Sequence, residues 1–403
     1  MVQTPMVDEV DAVKKWRVII GICIICLVCT LFPSRIYSQE NQNQAQQVSA
    51  KIGDSAAASI LLDQTSGRVL YAKKENDEMK IASLTKIMTA LLAIEKGDLQ
   101  DLVTIQPSAV GVEGSSIYLK AGEKVPLEAL VYGLMLRSGN DAATAIAQHV
   151  GGSLEGFVFL MNEKAQELGL EHTHFTNPHG LDEEKHYSSA KDLALLTQYA
   201  LRNPTFQQIV KTELKTVEWP GEEWKRTLLN KNKLLKLYPF ADGVKTGYTK
   251  QAKRTLVTSA TKDGQQLIAV TLNDGDDWKD HMNLFDYGFQ NFQLKDVVAK
   301  DQKITSTEIV NKEKKRLILV SGKPLSYPLQ NTETSQVKIE PTVSYPLEKV
   351  EKNGVLVGTG KVYFGQELVG TVPLYSKFTQ DPSVLNSWKE VLAFMCGRMG
   401  QGD

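Results

Sequence analysis

The chain has 403 residues, in which 46 lysines and arginines face 47 aspartates and glutamates, for a formal net charge of −1. A chain of this length can bury a large core and exceeds the usual size of one domain, so we expect two or three domains. Because the charges nearly balance, the sequence has no basic field that would recruit nucleic acid, and we exclude that class of partner.

The N-terminus has the pattern of an export signal. A basic stretch at residues 14–17 precedes an apolar run over residues 18–32, which is short for a membrane span but typical of the central part of a signal peptide. Pro33 ends the run. We therefore predict a signal peptide over residues 1–38, with an uncleaved anchor as the alternative, and an exported protein in either case.

The next segments predict a flexible lead, a β-hairpin and a helix. Residues 39–53 are rich in Gln, Asn, Ala and Ser, which favours a flexible segment. Two β-favouring runs, 56–62 and 68–72, flank a five-residue turn. From Ser83 onward the apolar residues recur every three or four positions, which predicts a helix that ends near Gly97.

The middle of the chain predicts helices, and the part that follows predicts strands. Helical patterns cover residues 140–150, 154–168 and 190–201, the first with Asn140 or Asp141 as its N-cap. Strand patterns cover residues 243–248, 255–260 and 266–272, before a last helix at 282–292. The simplest closure is one mixed or antiparallel sheet built from both ends of this segment, with helices on its faces.

The composition changes near residue 298. From 299 to 375 short alternating runs predict a small all-β domain, in which we find no candidate nucleophile or base. Residues 376–403 carry one apolar stripe at helical spacing. We favour an amphipathic helix that attaches to a membrane surface, and the alternative is a helix that packs on the β domain.

Three short motifs occur in a fixed order along the chain. They are Ser83-Leu84-Thr85-Lys86, Ser138-Gly139-Asn140 and Lys245-Thr246-Gly247. A serine three residues before a lysine also occurs at three other places, so this motif alone carries little weight. Alone, the second motif predicts a turn and the third the end of a strand. Together they match the motif set of penicillin-binding proteins and class A β-lactamases.

The motifs predict a serine acyl-transfer site in which a lysine is the base. With Ser83 in the first turn of its helix, Lys86 lies one turn on, within reach of the hydroxyl. Lys86 accepts a proton only when neutral, so burial and a cationic neighbour, for which we choose Lys245, must lower its pKa. Lys86 would then take the Ser83 proton while the oxygen attacks a carbonyl.

The remaining motif residues predict substrate contacts. The backbone N–H groups of Ser83 and Tyr248 would form the oxyanion hole. Gly247 would let substrate lie against the strand edge as an added strand, without a Cβ in the way. The other expected roles are proton relay to the leaving amine for Ser138, orientation of Lys86 and of a substrate amide for Asn140, and carboxylate binding for Lys245 with Thr246.

Four histidines, at positions 172, 174, 179 and 186, raise the possibility of a metal site. None forms a His-x-x-x-His pair on a helix, and no cysteine accompanies them. We therefore predict loop and wall positions for them, with no metal and no cofactor.

Longer stretches around the motifs resemble a known family. Residues 81–89, 136–143, 177–182 and 242–249 are similar to the low-molecular-weight penicillin-binding proteins that act as D-alanyl-D-alanine carboxypeptidases, and the likeness extends over about 54–292. The resemblance implies an α/β (α+β) catalytic domain at 54–298 of the serine β-lactamase and penicillin-binding-protein type. Its sheet would be mostly antiparallel and five-stranded, with helices on both faces, followed by a β-rich C-terminal domain.

The resemblance also implies a function. The substrate would be a peptidoglycan stem peptide ending in D-Ala-D-Ala, and β-lactams would acylate Ser83. The enzyme would lie on the outer face of the cytoplasmic or forespore membrane. Residues 131–136 and 250–257 look most like the type made during sporulation.

Two positions depart from the family pattern. Many relatives carry an arginine, roughly thirty-five residues after the lysine of Lys-Thr-Gly, that grips the substrate carboxylate, but here residues 276–281 contain none. The sequence therefore leaves open which group completes that pocket. Lys253 also stands where a glycine is common, which leaves the shape of that turn open.

Two other functions compete with a carboxypeptidase. A class A-like β-lactamase needs a deacylating glutamate with an asparagine four residues later, and Glu171, Glu183 and Glu184 lack this partner. A catalytically idle penicillin-binding protein of the cell wall is favoured only by the missing arginine.

Overall fold

The computed structural model describes residues 53–380, apart from Pro220 and residues 312–314. The predicted signal peptide, nearly all of the predicted lead and most of the predicted tail therefore lie outside the described residues. Within the described residues, no helix combines the length and the apolar character needed to cross a bilayer.

Strands and helices follow one another along the described residues. The strands are β1 (Ala58–Asp63), β2 (Val69–Lys73), β3 (Leu102–Thr104), β4 (Lys124–Pro126), β5 (Leu214–Val217), β6 (Arg226–Leu229), β7 (Ala241–Thr249), β8 (Lys253–Lys262), β9 (Gln265–Leu272), β10 (Gln293–Val298), β11 (Lys303–Val310), β12 (Lys315–Ser321), β13 (Leu325–Leu329), β14 (Val337–Val343), β15 (Leu356–Phe364) and β16 (Glu367–Gln380). The α-helices are α1 (Lys86–Lys96), α2 (Leu127–Tyr132), α3 (Asn140–Gly151), α4 (Leu154–Glu167), α5 (Ala190–Ala200), α6 (Pro204–Lys211), α7 (Leu234–Leu237) and α8 (Asp277–Asn291). Short 3₁₀ turns lie at Ala82–Thr85, Pro107–Ala109, Thr334–Gln336 and Leu347–Lys349, and a π turn lies at Gly133–Arg137.

The first large sheet has the predicted architecture. Its five strands lie in the order β2-β1-β9-β8-β7, and every neighbouring pair is antiparallel. Strand β1 of the hairpin near the start of the chain thus pairs with β9, which comes about 200 residues later, as the closure from both ends predicted. Strand β7, which carries the Lys-Thr-Gly motif, is at the edge of this sheet.

Helices cover both faces of the first sheet. In β1, Ile60 and Leu62 belong to a core shared with α1, α3 and α5, whereas Leu61 belongs to a second core shared with α8. Because successive residues of a strand point to opposite faces, this division shows that both faces are buried.

The C-terminal part is all-β, as predicted. Strands β11-β12-β16-β15-β14 form a second five-stranded antiparallel sheet, and β10 pairs with β13. This pairing differs from two predicted boundaries, the end of the catalytic domain at 298 and the start of the tail at 376. Strand β10, at residues 293–298, pairs with β13 and not with the first sheet, and β16 continues to Gln380, inside the segment predicted as tail.

Arg68 joins the first sheet to the C-terminal part. Its guanidinium donates two hydrogen bonds to Glu333, at 3.0 and 2.7 Å, and a third to the carbonyl oxygen of Pro328. The guanidinium also lies 5.2, 5.4 and 4.5 Å from the ring centroids of Phe292, Tyr327 and Phe364. Since both charged side chains are largely buried, this contact fixes how the two parts meet.

Candidate active site

Ser83 lies in a 3₁₀ turn that leads into helix α1. The turn covers Ala82–Thr85, and α1 begins at Lys86, so the α-helix starts later than predicted and Ser83 precedes its first turn. Ala82 has a φ of 49°, and Thr85 donates its hydroxyl to the Ala82 carbonyl oxygen at 2.8 Å. These contacts hold a sharp bend that leaves Ser83 only half-buried, at the wall of a cavity.

The loop at residues 177–182 packs against this turn. A Cβ at Gly180 would lie 1.8 Å from the Ala82 carbonyl oxygen, so only glycine allows the approach. The loop is fixed to α1 because Thr89 donates to the Pro178 carbonyl oxygen at 2.6 Å. Its position brings the carbonyl of His179 to the base of the nucleophile's turn.

The amine of Lys86 has three close neighbours. Its Nζ atom lies 3.0 Å from the Ser83 Oγ, 2.7 Å from the Asn140 Oδ1 and 2.6 Å from the His179 carbonyl oxygen. The last two atoms can only accept hydrogen bonds. A neutral amine has two N–H groups, and these two acceptors use both of them. Its lone pair is then left for the Ser83 hydroxyl proton, which is the arrangement of a base.

The surroundings of Lys86 favour the neutral amine. Lys86 is fully buried, and burial lowers its pKa well below the usual value because a buried charge loses its hydration. The positive charges of Lys245 and Lys231 lower it further, while the carboxylate of Asp141 opposes the shift. The expected neighbour Lys245 is therefore joined by Lys231, which the sequence did not reveal.

The second motif lies at the junction of the π turn and helix α3. Ser138 has a left-handed φ of 63° and lines the same cavity as Ser83. Asn140 is buried and holds Lys86, while its Nδ2 donates to the Glu113 carbonyl oxygen at 2.5 Å.

The prediction that Asn140 or Asp141 caps helix α3 is wrong. The N-cap is Gly139, and no side chain caps the helix. Asp141 instead accepts hydrogen bonds from the backbone N–H groups of Ile117 and Leu119, which fixes the loop that follows the cavity residue Ser115. Both side chains are used for tertiary contacts, which outweigh a local cap.

The third motif lies on edge strand β7, beside the turn of Ser83. A Cβ at Gly247 would lie 2.4 Å from the Thr255 Oγ1 and 3.1 Å from the Ser83 backbone nitrogen. The glycine is thus needed for close packing of strand β7 against the nucleophile's turn. This differs from the expected reason, which was space for a substrate on the strand edge.

The motif residues meet at one open cavity of about 580 Å³. Its wall includes Ser83, Ser138, Thr246, Gly247 and Tyr248 from the predicted set, together with Ser115, Lys231, Lys233, Arg254, Asp277 and Trp278. Lys245 lies behind this wall with only 2% exposure, and its Nζ donates to the Thr246 carbonyl oxygen at 2.7 Å. Burial and the charge of Lys231 lower the pKa of Lys245 to about 7.

Several of these groups could not be found by sequence reasoning. The His179 group that holds Lys86 is a backbone carbonyl, which any residue type would supply. Lys231, whose Nζ donates to Ser115 Oγ at 2.8 Å, and Arg254 belong to no motif. The only available signal was the absence of the expected arginine at 276–281, which indicated that another cation was needed.

The four histidines that raised the possibility of a metal site lie in loops, outside the helices and strands. His186 is buried between Thr85 and Thr176, and burial lowers its pKa to about 3. His179 lies beside Lys86, and burial and that neighbour lower its pKa to about 4. Among the described residues, no group of three or more potential ligands is arranged to hold a metal ion.

Two family patterns match the chain. Residues 41–276 match a peptidase family, S11, described as D-alanyl-D-alanine carboxypeptidase. Residues 292–380 match a family described as the C-terminal domain of penicillin-binding protein 5. Together the two matches cover both large sheets.

Individual proteins are similar over most of the chain. The D-alanyl-D-alanine carboxypeptidase DacF of Bacillus subtilis (strain 168) is 32% identical over 354 residues, which cover 85% of this chain and 90% of DacF. DacC of Escherichia coli (strain K12), a carboxypeptidase of the same name, is 32% identical over 82% of this chain and 84% of its own. The crystal structure of penicillin-binding protein 5 from Haemophilus influenzae superposes with a TM-score of 0.64 and 28% identity, covering 81% of this chain and 97% of that one.

Proposed function

The chain belongs to the D-alanyl-D-alanine carboxypeptidase family of serine peptidases, and from this premise we propose how its own residues perform the reaction. The enzyme removes the terminal D-alanine of peptidoglycan stem peptides, binds penicillin and acts in cell-wall maturation. The observation that carries the assignment of roles is the contact of one buried amine, Lys86, with the hydroxyl of Ser83 at the cavity wall.

Acylation begins with proton transfer from Ser83 to Lys86. The lone pair of the neutral amine receives the hydroxyl proton while Oγ forms a bond to the carbonyl carbon of the penultimate D-alanine. Negative charge develops on the carbonyl oxygen, which we place between the backbone N–H groups of Ser83 and Tyr248. The packing of Gly247 against the Ser83 nitrogen supports this placement, because it brings strand β7 beside the nucleophile.

The bond to the leaving D-alanine then breaks. The leaving nitrogen needs a proton, and Lys86 now carries one. Ser138, which lines the cavity with Ser83, relays that proton from Lys86 to the amine. Asn140 keeps the Lys86 amine in place throughout, because its Oδ1 holds one N–H group. A water molecule, activated by the same amine, then hydrolyses the ester and restores Ser83.

A direct assay tests these roles. Purified protein with diacetyl-L-Lys-D-Ala-D-Ala releases D-alanine, and Ser83→Ala lowers that rate by about 10⁴-fold or more. Ser335→Ala changes a serine of the C-terminal part that also precedes a lysine by three residues, and it leaves the rate unchanged. Release of D-alanine by Ser83→Ala at the wild-type rate would contradict the assignment.

We also propose the location and the domain roles. Export by residues 1–38 would bring the enzyme to its peptidoglycan substrate. The part of the predicted tail that follows strand β16, residues 381–403, would attach it to the outer face of the membrane. The catalytic domain, predicted as 54–298, would end near residue 292, because β10 at 293–298 pairs with β13. The β domain that follows would separate the catalytic domain from the membrane surface. A role in sporulation stays a prediction from residues 131–136 and 250–257.

Membrane attachment has a simple test. The chain from residue 39 to 403 cosediments with anionic lipid vesicles, whereas a chain that ends at Gln380 stays in the supernatant. Equal sedimentation of both chains would show that the tail does not bind the membrane.

A further inference from the structure

Arg254 lies at the cavity on β8, the strand next to the motif strand β7. It is the second residue of β8 and pairs in register with Tyr248 of β7. Residues that face each other in an antiparallel pair point to the same face of the sheet. Arg254 and Tyr248 therefore share a face, and both line the cavity together with Ser83 and Thr246.

The guanidinium of Arg254 is held by the start of helix α8. Its Nη2 donates to the Oδ1 of Asp277, whose side chain is only 6% exposed, and the guanidinium lies 5.9 Å from the centroid of the Trp278 ring. The Arg254 side chain itself is 44% exposed. Within the described residues, its guanidinium has no hydrogen-bond acceptor other than Asp277, so further N–H donors are available to the cavity.

Backbone contacts also restrain the position of Arg254. Lys253, where relatives commonly have glycine, has a left-handed φ of 58° and begins β8. The carbonyl oxygen of Arg254 accepts a hydrogen bond from the Asp274 N–H at 3.0 Å, which ties β8 to the segment before α8. The strand start and the helix start are thus joined both through backbone and through side chains.

The other cations near the site are less suited to bind an anion. Lys245 lies behind the cavity wall and donates to the Thr246 carbonyl oxygen. Lys231 donates to Ser115, and burial and the nearby Arg137 lower its pKa. A guanidinium stays charged and presents a planar fork that matches both oxygens of a carboxylate, which a lysine cannot do.

We propose that Arg254, oriented by Asp277, binds the terminal carboxylate of the D-Ala-D-Ala substrate beside Thr246. This inference rests on the proposed function. The chain lacks the arginine expected at 276–281 and has aspartates there instead. An isolated aspartate at this place would repel the carboxylate, whereas Asp277 is paired with an arginine from the neighbouring strand. The cation is thus supplied by β8 and held by α8.

The test compares two substrates that differ only in the terminal charge. One is diacetyl-L-Lys-D-Ala-D-Ala, and the other is the same peptide with a C-terminal carboxamide. Wild-type enzyme prefers the acid. Arg254→Gln lowers kcat/KM for the acid by about 10- to 100-fold, the usual cost of losing a hydrogen bond to a charged group, and changes the value for the amide little. The preference for the acid therefore collapses.

Three variants sharpen the result. Lys233→Gln removes another cation from the same cavity and keeps the preference for the acid. Asp277→Asn keeps an acceptor for Arg254 and weakens the preference less than Arg254→Gln does. Arg254→Lys keeps the charge but lacks the planar guanidinium, and it retains part of the preference for the acid. This variant tests the proposal even if Arg254→Gln does not fold.

Failure of carboxylate binding by Arg254 can be distinguished from failure of the assigned reaction. If Arg254→Gln is folded by thermal unfolding and still prefers the acid as strongly as wild type, Arg254 does not bind the carboxylate. The same conclusion follows if Lys233→Gln abolishes the preference and Arg254→Gln does not. If wild-type enzyme releases no D-alanine from the acid, the assigned reaction itself is wrong.

Discussion

The two five-stranded sheets of this protein are built in the same antiparallel way but are buried differently. In the first sheet, β1 is buried at every position and β9 at all but one, because helices cover both faces. In the second sheet, β11 and β14 have no fully buried residue, and β15 alternates between buried and exposed positions. The second sheet is therefore exposed along β11, β14 and β15, whereas its inner strand β12 is buried from Leu317 to Ser321.

The difference shows what the catalytic site requires. Two fully buried lysines, Lys86 and Lys245, lie where the first sheet meets the helical layer. Only such a water-excluded place lowers a lysine pKa enough to make the amine a base. Among its described residues, the second sheet has no buried lysine.

The largest effect is expected for the buried base itself. Lys86→Ala removes the amine that receives the Ser83 proton and lowers the acylation rate by penicillin about 10²- to 10⁴-fold. Stopped-flow measurement of penicillin acylation reads the rate. Lys361→Ala, on the exposed side of β15 in the second sheet, leaves the rate unchanged. Acylation of Lys86→Ala at nearly the wild-type rate would mean that another group is the base.

The contact between the two parts of the molecule gives the next effect. Arg68→Ala leaves the half-buried Glu333 without its partner and lowers the free energy of unfolding by about 1.5–3 kcal/mol. Urea unfolding, followed by circular dichroism, measures the change. The exposed pair Lys225–Glu218 serves as the control, since Lys225→Ala removes a pair that water already screens. Equal stabilities of the two variants would show that the Arg68 contact does not hold the parts together.

Acid should unfold the first part before the second. His281 is fully buried between Thr258 and Thr271, and burial lowers its pKa to about 3. The unfolded chain therefore binds this proton from about pH 6.5 downward while the folded one does not. The contribution of the neutral His281 to the free energy of unfolding is fully present above that pH. It falls by about 1.4 kcal/mol per pH unit as the pH drops toward 3.

The tryptophans report on acid unfolding of the first part. All six histidines of the chain lie between 149 and 281, and the described tryptophans, 219, 224 and 278, also lie in the first part. Tryptophan fluorescence, which reports on the first part, should change at a higher pH than the far-ultraviolet circular dichroism signal, to which both sheets contribute. His281→Asn should reduce the difference between the two midpoint pH values. Simultaneous loss of both signals in the wild type and in the variant would contradict the prediction.

The smallest effect concerns the charge near the base. Lys231 helps to lower the pKa of Lys86, so Lys231→Met raises that pKa. Because activity requires the neutral amine, the acid limb of the kcat/KM profile moves to higher pH. Lys233→Met removes a lysine from the same cavity that is not among the charges lowering that pKa, and its profile stays in place. A shift to lower pH in Lys231→Met would reverse the assigned sign.

Much of the scaffold could be predicted from the sequence, because hydrophobic periodicity decides it. The predicted strands at 243–248, 255–260 and 266–272 correspond to β7, β8 and β9, and the predicted helices at 154–168 and 190–201 to α4 and α5. Helix α8 begins at Asp277, five residues before the predicted start, because its first turn is polar and shows no apolar period. Strands of three or four residues, such as β3 and β5, were too short to predict.

The site itself was only partly predictable. Motifs name side chains, but the position of Lys86 also depends on a backbone carbonyl and on a bend at Ala82, and neither is a property of residue type. Arg254 reaches the cavity only because β8 pairs with β7 in a particular register. Such groups are brought together by tertiary structure, so a sequence reader could infer that a cation was needed without knowing which residue supplies it.

The most direct test of the central claim is to locate the covalent adduct with penicillin. After incubation with penicillin and digestion, mass spectrometry of the wild-type protein should find the added mass on the peptide that contains Ser83, and Ser83→Ala should carry none. An adduct on any other serine, or an unchanged yield of adduct in Ser83→Ala, would contradict the account.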